Sequence, residues 1–249
     1  MAKQRSIIKI EGTLEDLTFY KSKDGYLVRT KGGISKKRIE TDPAFVRTRE
    51  NGKEFGQIAT SGKILRRSIL ELLNNAKDSR VVPRLTKVMG KIKNEDLTSV
   101  RGDRQVLVGL STAQGRTFLK NFDFNSNAPM STVLLTEHSL DTLTGEVIIP
   151  DLIPAKELGI PQGATHVSFM AGFLTLDIGT GIRDLQLSPE VNTPINLIAN
   201  TVTLTPVGVP VANANSFYLL QIAFFQEVNG IQYPLNNGAY NALNMLEVL

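Results

Sequence analysis

The sequence predicts an α+β protein in which a small N-terminal β-meander leads into helices and a C-terminal all-β, sandwich-like domain follows. Three observations predict it. Apolar residues form short blocks between turn signals over the first forty residues, recur at helical spacing from Phe45 to Ile92, and return to strand-like blocks beyond residue 130. The charge changes along the same line: residues 1–120 hold 26 Lys and Arg against 13 Asp and Glu, net +13, whereas residues 121–249 hold 2 against 11, net −9. A length of 249 residues suits two ordinary domains. The expected division is a basic domain over 1–120, a linker over 121–130 and a β domain over 131–249.

Taken in order, Ile7, Ile8 and Ile10 precede a Glu11-Gly12 turn, Leu14 to Lys21 forms a second run, and Tyr26 to Lys31 returns after Ser22-Lys23-Asp24-Gly25. Asp-Gly between apolar runs is a hairpin signal, and Gly32-Gly33 is read as the end of the sheet. Asp42-Pro43 reads as a helix start. Phe45, Phe55, Ile58, Leu65, Ile69, Leu72 and Leu73 continue a helical pattern to Asn75, with a break or tight crossing expected near Gly62. Ser79 caps a second expected helix with an apolar stripe of Leu85, Val88, Met89 and Ile92; Arg80, Arg84, Lys87, Lys91 and Lys93 are directed mostly elsewhere. Residues 100–120 fit helix and strand equally. Asn121 to Met130 gathers turn-formers where the charge changes, hence the linker. Strands are expected over Val133–Glu137, Glu146–Ile149, Thr165–Asp177, Asn196–Thr205 and Phe217–Val228, the last closed by Asn229-Gly230.

No segment carries a recognisable reaction, so the expectation is a protein that is not an enzyme and holds neither cofactor nor metal. Gly56 to Lys63 superficially resembles a phosphate-binding loop, but five residues separate Gly56 from Gly62 and Ile64 stands where a hydroxyl should bind Mg²⁺. His138 and His166 are the only histidines, and neither sits in a zinc-binding spacing. Gly179-Thr180-Gly181 lacks the third glycine of a dinucleotide site. Arg101-Gly102-Asp103 is read as a chance tripeptide in a charged connector, and Lys36-Lys37-Arg38 as a solvated basic loop. With no cysteine, disulfides and thiolate chemistry are excluded. The start of the sequence lacks a signal-peptide apolar core, and no run reaches the length of a membrane span. Synthesis in the cytoplasm without a signal peptide is therefore expected. A final place in a virion or in an extracellular assembly reached by another route stays open.

Two features point toward partners. The basic residues of 20–67, among them Lys21, Arg29, Lys31, Lys36 and Arg38, share their segment with Tyr20 and Tyr26, a pattern suited to phosphates and stacked bases. In the C-terminal half Lys156 and Arg183 are the only basic residues, and Asn196–Ala214 carries no charge at all. Charged side chains normally guard sheet edges, so their scarcity suits burial in an assembly. The expected function is a structural, self-assembling protein that forms homo-oligomers or filaments, the basic half of one copy meeting the acidic half of another. Arg47, Arg49, Arg66 and Arg67 are the candidates on one side and Asp177, Asp184 and Glu190 on the other. The alternative is nonspecific nucleic-acid binding through residues 20–67.

Gly12-Thr13-Leu14-Glu15-Asp16-Leu17-Thr18-Phe19-Tyr20-Lys21, with Gly25, Arg29, Lys31-Gly32-Gly33 and Asp42-Pro43, resembles the opening of an uncharacterised family of proteins from Bacteroidota and their mobile elements. Phe122-Asp123-Phe124-Asn125 and Pro161-Gln162-Gly163-Ala164-Thr165-His166 resemble later signatures of that family. The resemblance implies the same two-part plan and a bacterial or phage-related source. It transfers no site residue.

Overall fold

The computed structural model describes residues 2–30, 33–76, 78–211 and 215–249, and the chain divides into two units, Met1–Glu50 and Asn51–Leu249. The fold is α+β with a β-rich C-terminal region.

The first unit holds four short antiparallel strands, β1 (Ala2–Lys3), β2 (Gly12–Leu14), β3 (Leu17–Ser22) and β4 (Gly25–Thr30), in the order β1-β4-β3-β2. The β3–β4 hairpin is where Asp24-Gly25 placed it: Ser22 pairs with Gly25, whose φ of 101° favours glycine. Ile7, Ile8 and Ile10 lie outside every strand and are exposed. Lys31 and Gly32, where the sheet was expected to end, fall outside the described residues. Ser35 caps α1 (Lys36–Thr41), and Asp42 Oδ1 accepts from Ala44 N at 2.9 Å over a single 3₁₀ turn, Pro43–Phe45, ahead of α2 (Val46–Ser68). Among the described residues of this unit, Leu27 alone is a buried apolar side chain.

α2 runs unbroken through Gly62, and the break comes at Ile69 (φ −115°, ψ 29°), before α3 (Leu70–Asn75). Gly62 marks a crossing: a Cβ there would stand 3.8 Å from Leu85 and Met89 of α4 (Val81–Asn94). Leu85, Met89 and Ile92 are buried, as their spacing requires, but so is Lys93, which was expected to face outward. Residues 100–120 resolve as α5 (Val106–Leu110) and α6 (Ala113–Thr117).

The remainder is β5 (Phe122–Asp123), α7 (Met130–Val133), β6 (Ser139–Leu140), β7 (Val147–Leu152), α8 (Pro154–Glu157), β8 (His166–Leu176), β9 (Arg183–Leu187), β10 (Val191–Pro194), β11 (Asn200–Leu204), β12 (Asn215–Val228), β13 (Ile231–Pro234) and β14 (Ala242–Val248). β8 and β12 pair from Asn215 opposite Leu176 to Phe225 opposite His166 and form the centre of a seven-stranded sheet. A second sheet has the order β11-β7-β6. Asn229 and Gly230, both at positive φ, turn β12 into β13 as expected. The expected strand over Val133–Glu137 is absent: α7 takes its start, and Leu134 makes a single bridge to Leu158.

Strand side chains alternate between faces, so the large sheet has two apolar sides. Leu174, Leu176, Phe217 and Leu219 meet Leu65, Ile69, Leu72, Leu85, Met89 and Ile92 of the helices. Val167, Phe169, Phe173, Tyr218, Leu220 and Phe224 meet Val147, Ile149, Val202 and Leu204 of the small sheet. The sandwich-like pairing of sheets is therefore one half of a three-layer unit.

This arrangement corrects the expected division. The helices of 51–120 belong with the sheet, not with the meander, because their apolar stripes close on its face. Nor is 121–130 a linker: β5 pairs with β14, Phe124 is fully buried, and Asn125 Nδ2 donates to Ala239 O at 3.0 Å and Asn241 O at 2.9 Å. Its turn-forming residues cap backbone in a packed crossover instead of loosening it.

Candidate functional site

The four candidate arginines lie on one helix but in different environments. Arg47 Nη1 donates to Glu50 Oε2 at 2.8 Å, and Arg49 Nη1 to Ile39 O at 2.7 Å and Asp42 O at 3.1 Å. Both are thus engaged within the first unit. Arg66 and Arg67 occupy the last turn of α2, where a cation is favoured by the helix dipole; Arg66 is half-buried and Arg67 exposed.

The carboxylates are similarly occupied. Asp177 closes its own turn, accepting from Gly179 N at 2.7 Å and Thr180 Oγ1 at 2.8 Å, and the Thr180 hydroxyl lowers its pKa. Asp184 accepts from Gln186 Nε2 and Val211 N, each at 2.8 Å. Glu190 is exposed on the rim of a cleft. The structure brings no arginine–carboxylate pair of the expected set together within either unit.

Charge sums explain part of this. Along the observed boundary, residues 1–50 carry +5 and residues 51–249 carry −1. The helices of 51–120, at +8, share one unit with the acidic β-rich part, at −9. Lys120 pairs with Glu247 across them at 2.5 Å, and Arg84 donates to Asp123 O at 2.7 Å and Phe124 O at 3.0 Å. Part of the opposite charge, the Lys120–Glu247 pair, is therefore met inside one chain.

The tyrosines of the basic segment face cations of their own unit. Arg29 lies 5.5 Å from the Tyr20 ring centroid, and Lys9 and Lys21 lie 5.9 and 5.6 Å from that of Tyr26. These contacts compete with base stacking on the same ring faces.

The uncharged run has a definite place in the fold. Among the described residues β11 pairs with β7 alone and forms an edge of the small sheet. Val202 and Leu204 point into the core, while Asn200, Thr201 and Thr203 are exposed. Leu197 and Ile198 before it, and Val207, Val209 and Val211 after it, are exposed apolar residues. Three edge strands of the large sheet are guarded: β9 carries Arg183 and Asp184, and β10 and β13 each end in proline, at Pro194 and Pro234.

The remaining motifs are structural. Gly56 to Lys63 is interior to α2, with no phosphate-cradling loop. In Arg101-Gly102-Asp103, Gly102 N donates to Glu54 Oε1 at 2.8 Å, Asp103 pairs with Lys53, and Arg101 donates to Asn51 Oδ1 at 3.2 Å. His166 Nε2 stands 3.5 Å from Glu227 Oε2 at the sheet surface. His138 shares a cleft of about 360 Å³ with Ser131 and Asp123, but Asp123 Oδ1 accepts from Met130 N at 2.9 Å and Asn244 Nδ2 at 2.8 Å, and no hydrogen bond joins His138 to either. Among the described residues no three His, Asp or Glu side chains converge as a metal site, and no helix is long and apolar enough to cross a membrane.

No protein-family model, curated protein or solved structure matches the chain.

Proposed function

We propose that the chain is a structural, self-assembling protein without catalytic activity. The observation that supports this reading is the edge of β11: a strand that pairs on one side only among the described residues, no charged residue between Asn196 and Val211, and apolar side chains exposed at both ends. Such an edge is a template for an added strand. The first unit offers the complementary piece. It buries a single apolar side chain among its described residues, while Ile7, Ile8 and Ile10 stand exposed in a segment outside any strand. A second copy that lays Ser6–Ile10 along β11 would satisfy both. The contact then rests on backbone pairing and apolar burial, with basic-to-acidic attraction secondary. Because each copy carries both pieces, the contact repeats head to tail into a ring or filament.

The test is the mass distribution of the full chain by light scattering and sedimentation, with electron microscopy of the large species. Assemblies are expected, and Thr203→Lys, which puts a charge on the exposed edge, is expected to return them to monomer with the thermal midpoint unchanged. A wild-type monomer at every concentration, or assemblies indifferent to Thr203→Lys, would sink the reading.

A further inference from the structure

The helices cover only part of their face of the large sheet. Beyond the end of α3, the β8–β12 face stays open as a cleft of about 380 Å³, within the range of roughly 300–1,000 Å³ of small-molecule sites. Its floor is made by two directly opposed pairs, Met170 with Gln221 and Ser168 with Ala223. Strand alternation turns these four toward the helical side, and the small serine and alanine leave a depression where larger side chains fill the neighbouring rows.

The walls are built from amides. Asn74 and Asn75 close one side. The other is a left-handed turn in which Asn236, Asn237 and Gly238 take φ of 46°, 52° and 79°. Successive residues in this conformation are costly, so contacts must hold the turn. Asn241 Nδ2 donates to Asn75 O at 2.9 Å, and a Cβ on Gly238 would fall 2.4 Å from that same oxygen.

One buried polar group here is only half used. Gln221 is 4% exposed; its Nε2 donates to Leu72 O at 2.7 Å, while its Oε1 has no partner among the described residues. Because Gln221 lines the cleft, that oxygen is within reach of a donor from outside. Beside it, Ser168 Oγ accepts from Asn192 Nδ2 at 2.8 Å and keeps its own proton to donate. Among the described residues no lysine or arginine lines the cleft, and Glu190 at the rim repels anions, so phosphates and carboxylates are poor ligands. Paired amide donors and acceptors suit vicinal hydroxyls. Met170 and Phe225 add apolar surface for the C–H face of a ring.

We propose that this cleft binds a neutral saccharide, Gln221 Oε1 accepting a bond from one ligand hydroxyl and Ser168 donating to another. The site is independent of the assembly edge, because Thr203→Lys leaves it intact. A printed glycan array probed with the full chain, followed by calorimetric titration of the retained glycan, tests it. Two variants accompany the wild type: Ala223→Leu fills the floor, and Glu190→Trp blocks the rim from an exposed position that tolerates substitution. Circular dichroism checks that each is folded. Retention of neutral glycans is expected, with affinity lowered at least about tenfold in both variants, or in Glu190→Trp alone should Ala223→Leu fail to fold. An array that retains no glycan, a preference for sialylated or sulfated glycans, or binding undiminished in the folded variants would overturn the proposal.

Discussion

Replacing Lys93 by Met tests whether the helices and the β-rich region form one unit. Lys93 Nζ bonds Glu54 Oε2 at 2.5 Å, and the two side chains are 9% and 8% exposed. Burial raises the Glu54 pKa, but the Lys93 and Gly102 hydrogen bonds outweigh it and leave the carboxyl below its ordinary value. Lys93→Met leaves that carboxylate buried with one backbone donor, Gly102 N, a loss of about 3–5 kcal/mol. With a urea dependence of about 2–3 kcal/mol per molar, the midpoint falls by roughly 1–2 M. Two probes report it. Far-UV circular dichroism follows the helices, and near-UV dichroism follows Tyr218, buried against Phe173 with ring centroids 4.6 Å apart on the far side of the sheet. Both transitions are expected to move together. Adding Glu54→Gln is expected to recover at least about 2 kcal/mol, because the uncompensated charge is gone. A cost under about 1 kcal/mol, or a Tyr218 transition that stays in place while the helical one moves, would refute the reasoning and restore a boundary near residue 120.

Three further outcomes follow from single positions. Gly238→Ala is expected to lower stability by about 2 kcal/mol or more, read by urea unfolding, since the new methyl meets Asn75 O in a positive-φ backbone. Gly62→Ala is expected to raise stability by about 0.5–1 kcal/mol in the same assay: the helix gains from alanine, and the nearest atoms of Leu85 and Met89 stand at ordinary contact distance. For Asp78, burial acts to raise the pKa, but hydrogen bonds from Ser126 and Arg80 N and the charge of Arg84 bring it down to about 2, from 3.8. A folded pKa below the unfolded one gives stability that is complete above the unfolded value and lost as pH falls toward the folded one. Asp78→Asn should therefore cost about 1–2 kcal/mol near neutrality, with the gap to wild type closing between about pH 4 and 2; a gap independent of pH would count against it.

Elements with strong local signals were legible. The Asp24-Gly25 hairpin, the Asp42-Pro43 helix start, the α4 stripe and the long strands β8 and β12 all lie where periodicity and turn chemistry placed them. What misled was reading turn-formers and charge as surface properties. Asn125 and Ser126 look like linker residues but fasten the crossover to Asn241 and Asp78. Lys93 looks like a solvated lysine but answers a glutamate thirty-nine positions earlier. The uncharged stretch around β11 was visible as composition, but only strand order showed that it is an edge. The amide cleft left the weakest trace, a cluster of asparagines from Asn236 to Asn244 with no motif attached.

By itself the sequence determined the α+β class, the positions of the longest helices and strands, and the absence of cysteine, because backbone preference and apolar period are properties of neighbouring residues. Tertiary structure decided where the units divide, which charges meet within the chain, that Asp184 is held by Val211 N, and that Gln221 lines a cleft with its Nε2 bonded to Leu72 O. Each of these depends on a partner distant in sequence, Asn241 to Asn75 or Gln221 to Leu72, and such pairings exist only once α3 has packed on the sheet that β8 and β12 form.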